Sequence, residues 1–133
     1  MKKFLVLIVL FLGISISVNA QVQTYRTTGY YEKKLYSWGW GSWSSKQQSN
    51  MNIVINLNTD VVTIYSPRTQ VYRIYEYSGT TRDSDGDVTA TFYFYDQDND
   101  RGTMRLVIRA NGQSQLYIDF ANVMWAYDVY RTN

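Results

Sequence analysis

Beyond residue 20 the chain alternates apolar and polar positions with a period of two, in short runs separated by turn-forming residues. No window carries the 3.6-residue period of an amphipathic helix. The runs predict strands near 23–33, 35–44, 50–57, 60–66, 69–77, 88–95, 103–109, 113–120 and 123–131. Tyr, Thr, Val and Ile fill them, side chains that suit a pleated, half-buried surface. In 69–77 both faces carry Tyr and a charge, so the pattern leaves its buried face open.

Paired strands must share a buried face, so each turn can be tested for register. A two-residue turn at Asn111-Gly112 would set Leu106 against Tyr117 and Met104 against Asp119, mixing the faces. A three-residue loop, Ala110-Asn111-Gly112, sets Leu106 against Leu116, Met104 against Ile118 and Arg105 against Tyr117. That loop needs Gly112 in the left-handed position of a bulged turn. The same test pairs Ile55 with Val62 and Ile53 with Ile64, and pairs Ile118 with Trp125 and Leu116 with Tyr127. A loop over 96–102 pairs Phe94 with Met104 and Phe92 with Leu106, and lines up Tyr93, Arg105 and Tyr117 on the outer face.

Sequential hairpins without a crossover helix make an up-and-down meander, and about eight strands close into a barrel that has no edges. The predicted fold is all-β: a small up-and-down antiparallel β-barrel of about eight strands, lipocalin-like in plan, with an open β-sandwich as the alternative. A barrel of this size is filled by side chains or holds one small ligand.

The first twenty residues follow a different rule. Lys2 and Lys3 precede an unbroken apolar run, Phe4 to Leu12, and Val18-Asn19-Ala20 supplies small residues at the −3 and −1 positions. This is the layout of a secretory signal peptide. The run is shorter than the roughly 20 residues of a spanning helix, so the expectation is cleavage after Ala20 and no membrane span afterwards. Residues 1–20 are then the signal peptide and 21–133 a single β-barrel domain, periplasmic or extracellular in a Gram-negative type of cell. The net charge of +2 resides in Lys2 and Lys3, so residues 21–133 balance. No basic patch marks a nucleic-acid partner. The chain has no Cys, so a core rather than disulfides must hold the exported domain.

Several segments resemble a group of small secreted bacterial all-β, lipocalin-like proteins of unknown function. They are NIVINLNTDVVTIYS (52–66), QVYRIYEYSG (70–79), DSDGD (83–87) and QLYIDFANVMWAYDVY (115–130). The resemblance lies in strands and turns. It implies export and an all-β fold, and no activity.

The chemistry is that of binding rather than catalysis. With no His and no Cys, the commonest bases, thiol nucleophiles and metal ligands are missing. The only glutamates are Glu32 and Glu76, and six aspartates sit in two turns, Asp83-Ser84-Asp85-Gly86-Asp87 and Asp96-Gln97-Asp98-Asn99-Asp100. A calcium loop of the EF-hand kind needs a glycine at position six and a carboxylate at twelve. Here the glycines are misplaced and the twelfth positions fall on Phe94 and Val107. Turn chemistry explains the acids, the second run being the better calcium candidate. No catalytic residue, metal or cofactor is assigned.

Trp38-Gly39-Trp40-Gly41-Ser42-Trp43 is the most unusual segment. Trp and Tyr offer large rigid faces to sugar rings and other flat ligands; the competing explanation is a plug packed into the barrel. In the meander, loops 44–49, 67–68, 96–102 and 121–122 share one end. Trp40, Trp43, Phe94, Met104, Phe120 and Trp125 fall near it and form the candidate ligand-binding set. The function expected is non-enzymatic exported binding of a small apolar or aromatic-faced ligand, or of a glycan, at an aromatic barrel mouth. The alternative is a protein-interaction or inhibitor module using the Tyr93–Arg105–Tyr117 face.

Overall fold

A computed structural model describes residues 21–133, so the signal peptide expected over 1–20 lies outside the described residues. Ten strands follow: β1 (Val22–Tyr36), β2 (Gly39–Trp40), β3 (Gln47–Gln48), β4 (Asn52–Asn56), β5 (Val61–Ile64), β6 (Gln70–Arg82), β7 (Val88–Tyr95), β8 (Arg101–Ile108), β9 (Ser114–Asp119) and β10 (Val123–Arg131). Eight of them run antiparallel in the order β1-β4-β5-β6-β7-β8-β9-β10, and β10 pairs back onto β1. The fold is thus a closed eight-stranded barrel and not an open sandwich. β2 and β3 lie outside the ring, each paired to β1.

Three hairpins take the registers that the face test demands. Ile55 pairs with Val62 and Ile53 with Ile64. Leu106 pairs with Leu116 and Met104 with Ile118. Ile118 pairs with Trp125 and Leu116 with Tyr127. The Arg109 amide donates to the Gln113 carbonyl at 2.8 Å across a three-residue loop. Gly112 sits in it at a φ of 90°.

Three expectations change. Across the β7–β8 turn Phe92 pairs with Met104 and Phe94 with Gly102, two residues away from the expected register. A slip of two leaves every side chain on its own face, so alternation cannot detect it. The reason is steric. The Phe94 ring fills the space over Gly102, where a Cβ would come within 2.4 Å of the ring's Cζ. The slip also moves Tyr93 opposite Thr103 and sets Thr91 opposite Arg105, so the expected Tyr93–Arg105–Tyr117 line is broken at Tyr93.

The expected strand 35–44 is replaced by a longer β1 that runs to Tyr36, turns, and returns only as Gly39–Trp40, with Gly39 at a φ of 125°. In β6, bulges fall between Ile74 and Glu76 and between Tyr77 and Gly79. Each bulge inserts an unpaired residue and shifts the alternation, which is why its sequence shows no single apolar face.

The interior is filled. Ile53, Val62, Ile64, Phe94, Met104 and Ile118 have 0% exposure, and a water-sized void beside them would leave some surface. Burial of each such side chain is worth roughly 1.5–3 kcal/mol. The buried Tyr25 hydroxyl donates to Gln23 Oε1 at 2.8 Å. Burial pushes that hydroxyl's pKa up to about 12, against the opposing pull of the Arg131 charge and hydrogen bond.

Candidate functional site

Strand order sorts the loops into two ends. The turns 57–60, 83–87 and 109–113 share one end with the start of β1 and the close of β10. The connections 37–51, 65–69, 96–100 and 120–122 share the other. Aromatic residues collect at the second end, but the candidate set divides among three places there.

Phe94, Phe120 and Trp125 form a chain of edge-on rings that begins in the core at Tyr72. The successive centroid distances are 4.9, 5.4 and 5.8 Å. Edge-to-face rings pair the positive rim of one with the negative face of the next. The half-buried Trp125 indole N–H donates to Glu32 Oε2 at 2.9 Å, and Glu32 in turn pairs with Lys34 at 3.6 Å. This chain caps the barrel. Phe94 and Met104, at 0% exposure, have no face to offer a ligand unless the cap moves.

Trp43 lies on the outer wall, its ring edge-on to Tyr117 at 6.2 Å and the Lys33 ammonium 5.6 Å over it. Trp40 is half-buried on β2, opposite Leu35.

The same end carries a feature that alternation did not single out. The last β1–β10 pair is Lys34 with Val123, and the Leu35 amide makes a final tie to the Asn122 carbonyl at 2.9 Å. Past that point β1 pairs only with β2, so residues 35–40 project beyond the barrel as a free hairpin. Tyr36 lies over Gly41, where a Cβ would meet its Cε2 at 2.8 Å. Trp38 stacks on Tyr36 with centroids 5.1 Å apart and planes at 9°. Trp38 is 73% exposed, Tyr36 49% and Leu35 43%. The signal available in the sequence was Gly39, a turn residue directly after Trp38.

No protein-family model, curated protein or solved structure matches the chain.

The outer wall over β8, β9, β10 and β1 is polar and self-paired. The Arg105 guanidinium lies 4.4 Å over the Tyr117 ring and donates to Asp119 at 3.0 and 3.4 Å. Asp128 accepts hydrogen bonds from Gln115 and Tyr31 and pairs with Lys46 at 3.2 Å. Burial alone would raise the Asp128 carboxyl; those bonds and the Lys46 charge outweigh it and hold the pKa below the usual value. Lys46 reaches Asp128 by laying its stem across Gly29, where a Cβ would be 2.2 Å from Lys46 Cε. A concavity of about 690 Å³ opens here, lined by Tyr31, Lys46, Gln115 and Asp128 among others.

The two acidic loops are built alike. Asp83 Oδ1 accepts from the amides of Asp85 and Asp87, and Asp96 Oδ1 accepts from those of Asp98 and Asp100, all between 2.8 and 3.0 Å. The fourth residue of each takes a left-handed φ, Gly86 at 88° and Asn99 at 63°. Carboxylate oxygens of Asp96, Asp98 and Asp100 lie within 4.8 Å of one another. The turn accounts for the leading acid of each run, because its carboxylate replaces a missing backbone acceptor.

Proposed function

We propose that this is a non-enzymatic, exported binding protein that takes its ligand on the projecting aromatic hairpin rather than inside the barrel. The ligand is apolar or flat-faced, such as an acyl chain or a sugar ring. One observation carries the reading: Trp38 is 73% exposed while already stacked on Tyr36, so a large ordered aromatic face is held open to its surroundings. Exposed aromatic surface of this kind marks binding sites. The 0% exposure of Phe94 and Met104 argues against an internal site. The one carboxylate among the capping rings, Glu32, is occupied by Trp125 and Lys34, which argues against catalysis there. Among the described residues no helix is long and apolar enough to cross a membrane. The ion pair between Arg105 and Asp119 on the outer wall would be poorly accommodated by lipid, which argues against a spanning barrel.

The test is titration of residues 21–133 with neutral oligosaccharides and with short-chain amphiphiles, followed by tryptophan emission. Trp38→Ala should abolish the response and leave the melting temperature unchanged. A response that survives Trp38→Ala overturns the reading.

One observation favours a second reading, a protein-binding face. Tyr75 is exposed on β6, 4.7 Å from Tyr95, with the Arg101 guanidinium over both rings. Tyr75→Ala would then abolish capture of a protein partner that Trp38→Ala leaves intact.

A further inference from the structure

We infer that the hairpin docks the protein onto an anionic phospholipid surface, with residues 35–38 entering the headgroup region and lysines at its root contacting lipid phosphates. The inference rests on the hairpin being the binding element and names what it binds.

The hairpin is apolar on both sides. Leu35 and Trp40 are directly opposed in register and so share one face. Tyr36, the alternate residue, and Trp38 stacked on it form the other. A sugar ring or a flat protein surface covers one side of such an element. A lipid interface surrounds it.

Reach and composition agree. From Lys34 to Tyr36 is two residues of strand, about 7 Å at ~3.3 Å per residue, and the Ser37-Trp38 turn lies beyond it. Interfacial elements bury their apolar part to a depth of about 5–10 Å. Trp and Tyr are the residues that favour the headgroup level, with an apolar body and a polar edge.

Charge complements an anionic surface. The only charges between Glu32 and Asp60 are Lys33, Lys34 and Lys46. Lys46 is held by Asp128, while Lys34 makes only a solvent-exposed pair with Glu32 and Lys33 lies over Trp43 with no acid paired to it among the described residues, so these two can turn to phosphate. Lys33 and Lys34 lie at the point where β1 leaves the barrel. Lysine at such a position can extend its ammonium toward phosphate while its stem stays in apolar surroundings. The acidic loop 96–100 opens at the same end, but three to four strands away in either direction round the ring, which tips the approach toward the hairpin side.

The experiment is co-sedimentation of residues 21–133, which carry every strand of the closed barrel, with phospholipid vesicles. Binding is expected to vesicles of phosphatidylcholine mixed with phosphatidylglycerol, and to be weakened by salt and by omission of phosphatidylglycerol. Lys33→Gln and Lys34→Gln should each weaken it roughly five-fold. Trp38→Ala should weaken it on the order of ten-fold with no change in melting, since Trp38 is outside the core. Equal binding to pure phosphatidylcholine, no vesicle binding, or vesicle binding indifferent to Trp38→Ala would overturn the inference. Binding of a neutral oligosaccharide through Trp38, without vesicle binding, would overturn the lipid assignment and leave the aromatic hairpin as the binding element. Loss of every Trp38-dependent response would overturn both.

Discussion

Gly102 shows how one missing side chain can set the register of two strands. The Phe94 ring takes the place of a side chain there, and the Asp119 carbonyl closes the space from the other side, 2.8 Å from where a Cβ would stand. Gly102→Ala is therefore expected to force Phe94 off its position and to cost about 1–3 kcal/mol, the usual range for overpacking; thermal unfolding measures it. Gly112 differs in kind. Nothing lies within 4 Å of a Cβ there, so the constraint is its φ of 90° alone. Gly112→Val should destabilise because a β-branched residue resists positive φ, whereas Gly112→Asn should be tolerated far better. If the two variants melted alike, the turn would not depend on that conformation.

The hairpin turns that carry acids behave as small structural units. Asp96→Asn keeps an oxygen that can accept from the amides of Asp98 and Asp100, while Asp96→Ala leaves both without it. The expected result is a near-normal melting point for Asp96→Asn, a loss of roughly 1–3 kcal/mol for Asp96→Ala, and no calcium-dependent shift in the parent. A calcium-induced rise in melting point that Asp96→Asn removes would show a metal loop instead. The strands were legible where one hairpin buries one face: Ile53 with Ile64, Leu106 with Leu116 and Ile118 with Trp125 follow from alternation alone. The β7–β8 register was not, because a slip of two preserves the faces and the decisive contact is three-dimensional. β6 was not, because its two bulges reset the alternation inside the strand. The candidate site was legible only in its location at one barrel end. Whether a Trp caps, lies outside or projects depends on where β1 leaves the wall, and Lys34 is not distinguished from Glu32 by any periodicity.

At the scale of the whole molecule the barrel carries several tyrosines whose hydroxyls burial holds neutral. Burial raises the pKa of Tyr25 to about 12 and raises those of Tyr72, Tyr77 and Tyr127 as well. Their ordinary value is near 10. A group whose folded pKa exceeds its unfolded one stabilises the fold fully below the unfolded value, and that contribution is lost as pH rises through the folded value. Stability should therefore be flat in these groups up to about pH 10 and fall steeply above it. Tyrosinate absorbance from the buried set, Tyr25, Tyr72, Tyr77 and Tyr127, should rise together with unfolding. A single titration near pH 10 with intact circular dichroism would contradict it.

The pairing of β1 with β10 also fixes an order of events. Tyr25 meets Arg131 at one end of the seam and Lys34 meets Val123 at the other, so it joins segments 89 to 106 residues apart along the chain. Every other wall pair except β1–β4 is a hairpin whose partners are close together along the chain. The seam cannot form until the last strand is free. Until then β1 keeps one long edge unpaired, with Tyr31 and the Trp43 segment beside it. Closing so long a loop comes late and is intrinsically slow. Without that seam the wall is an open sheet with two free edges, and the nine-residue β10 converts it into a ring.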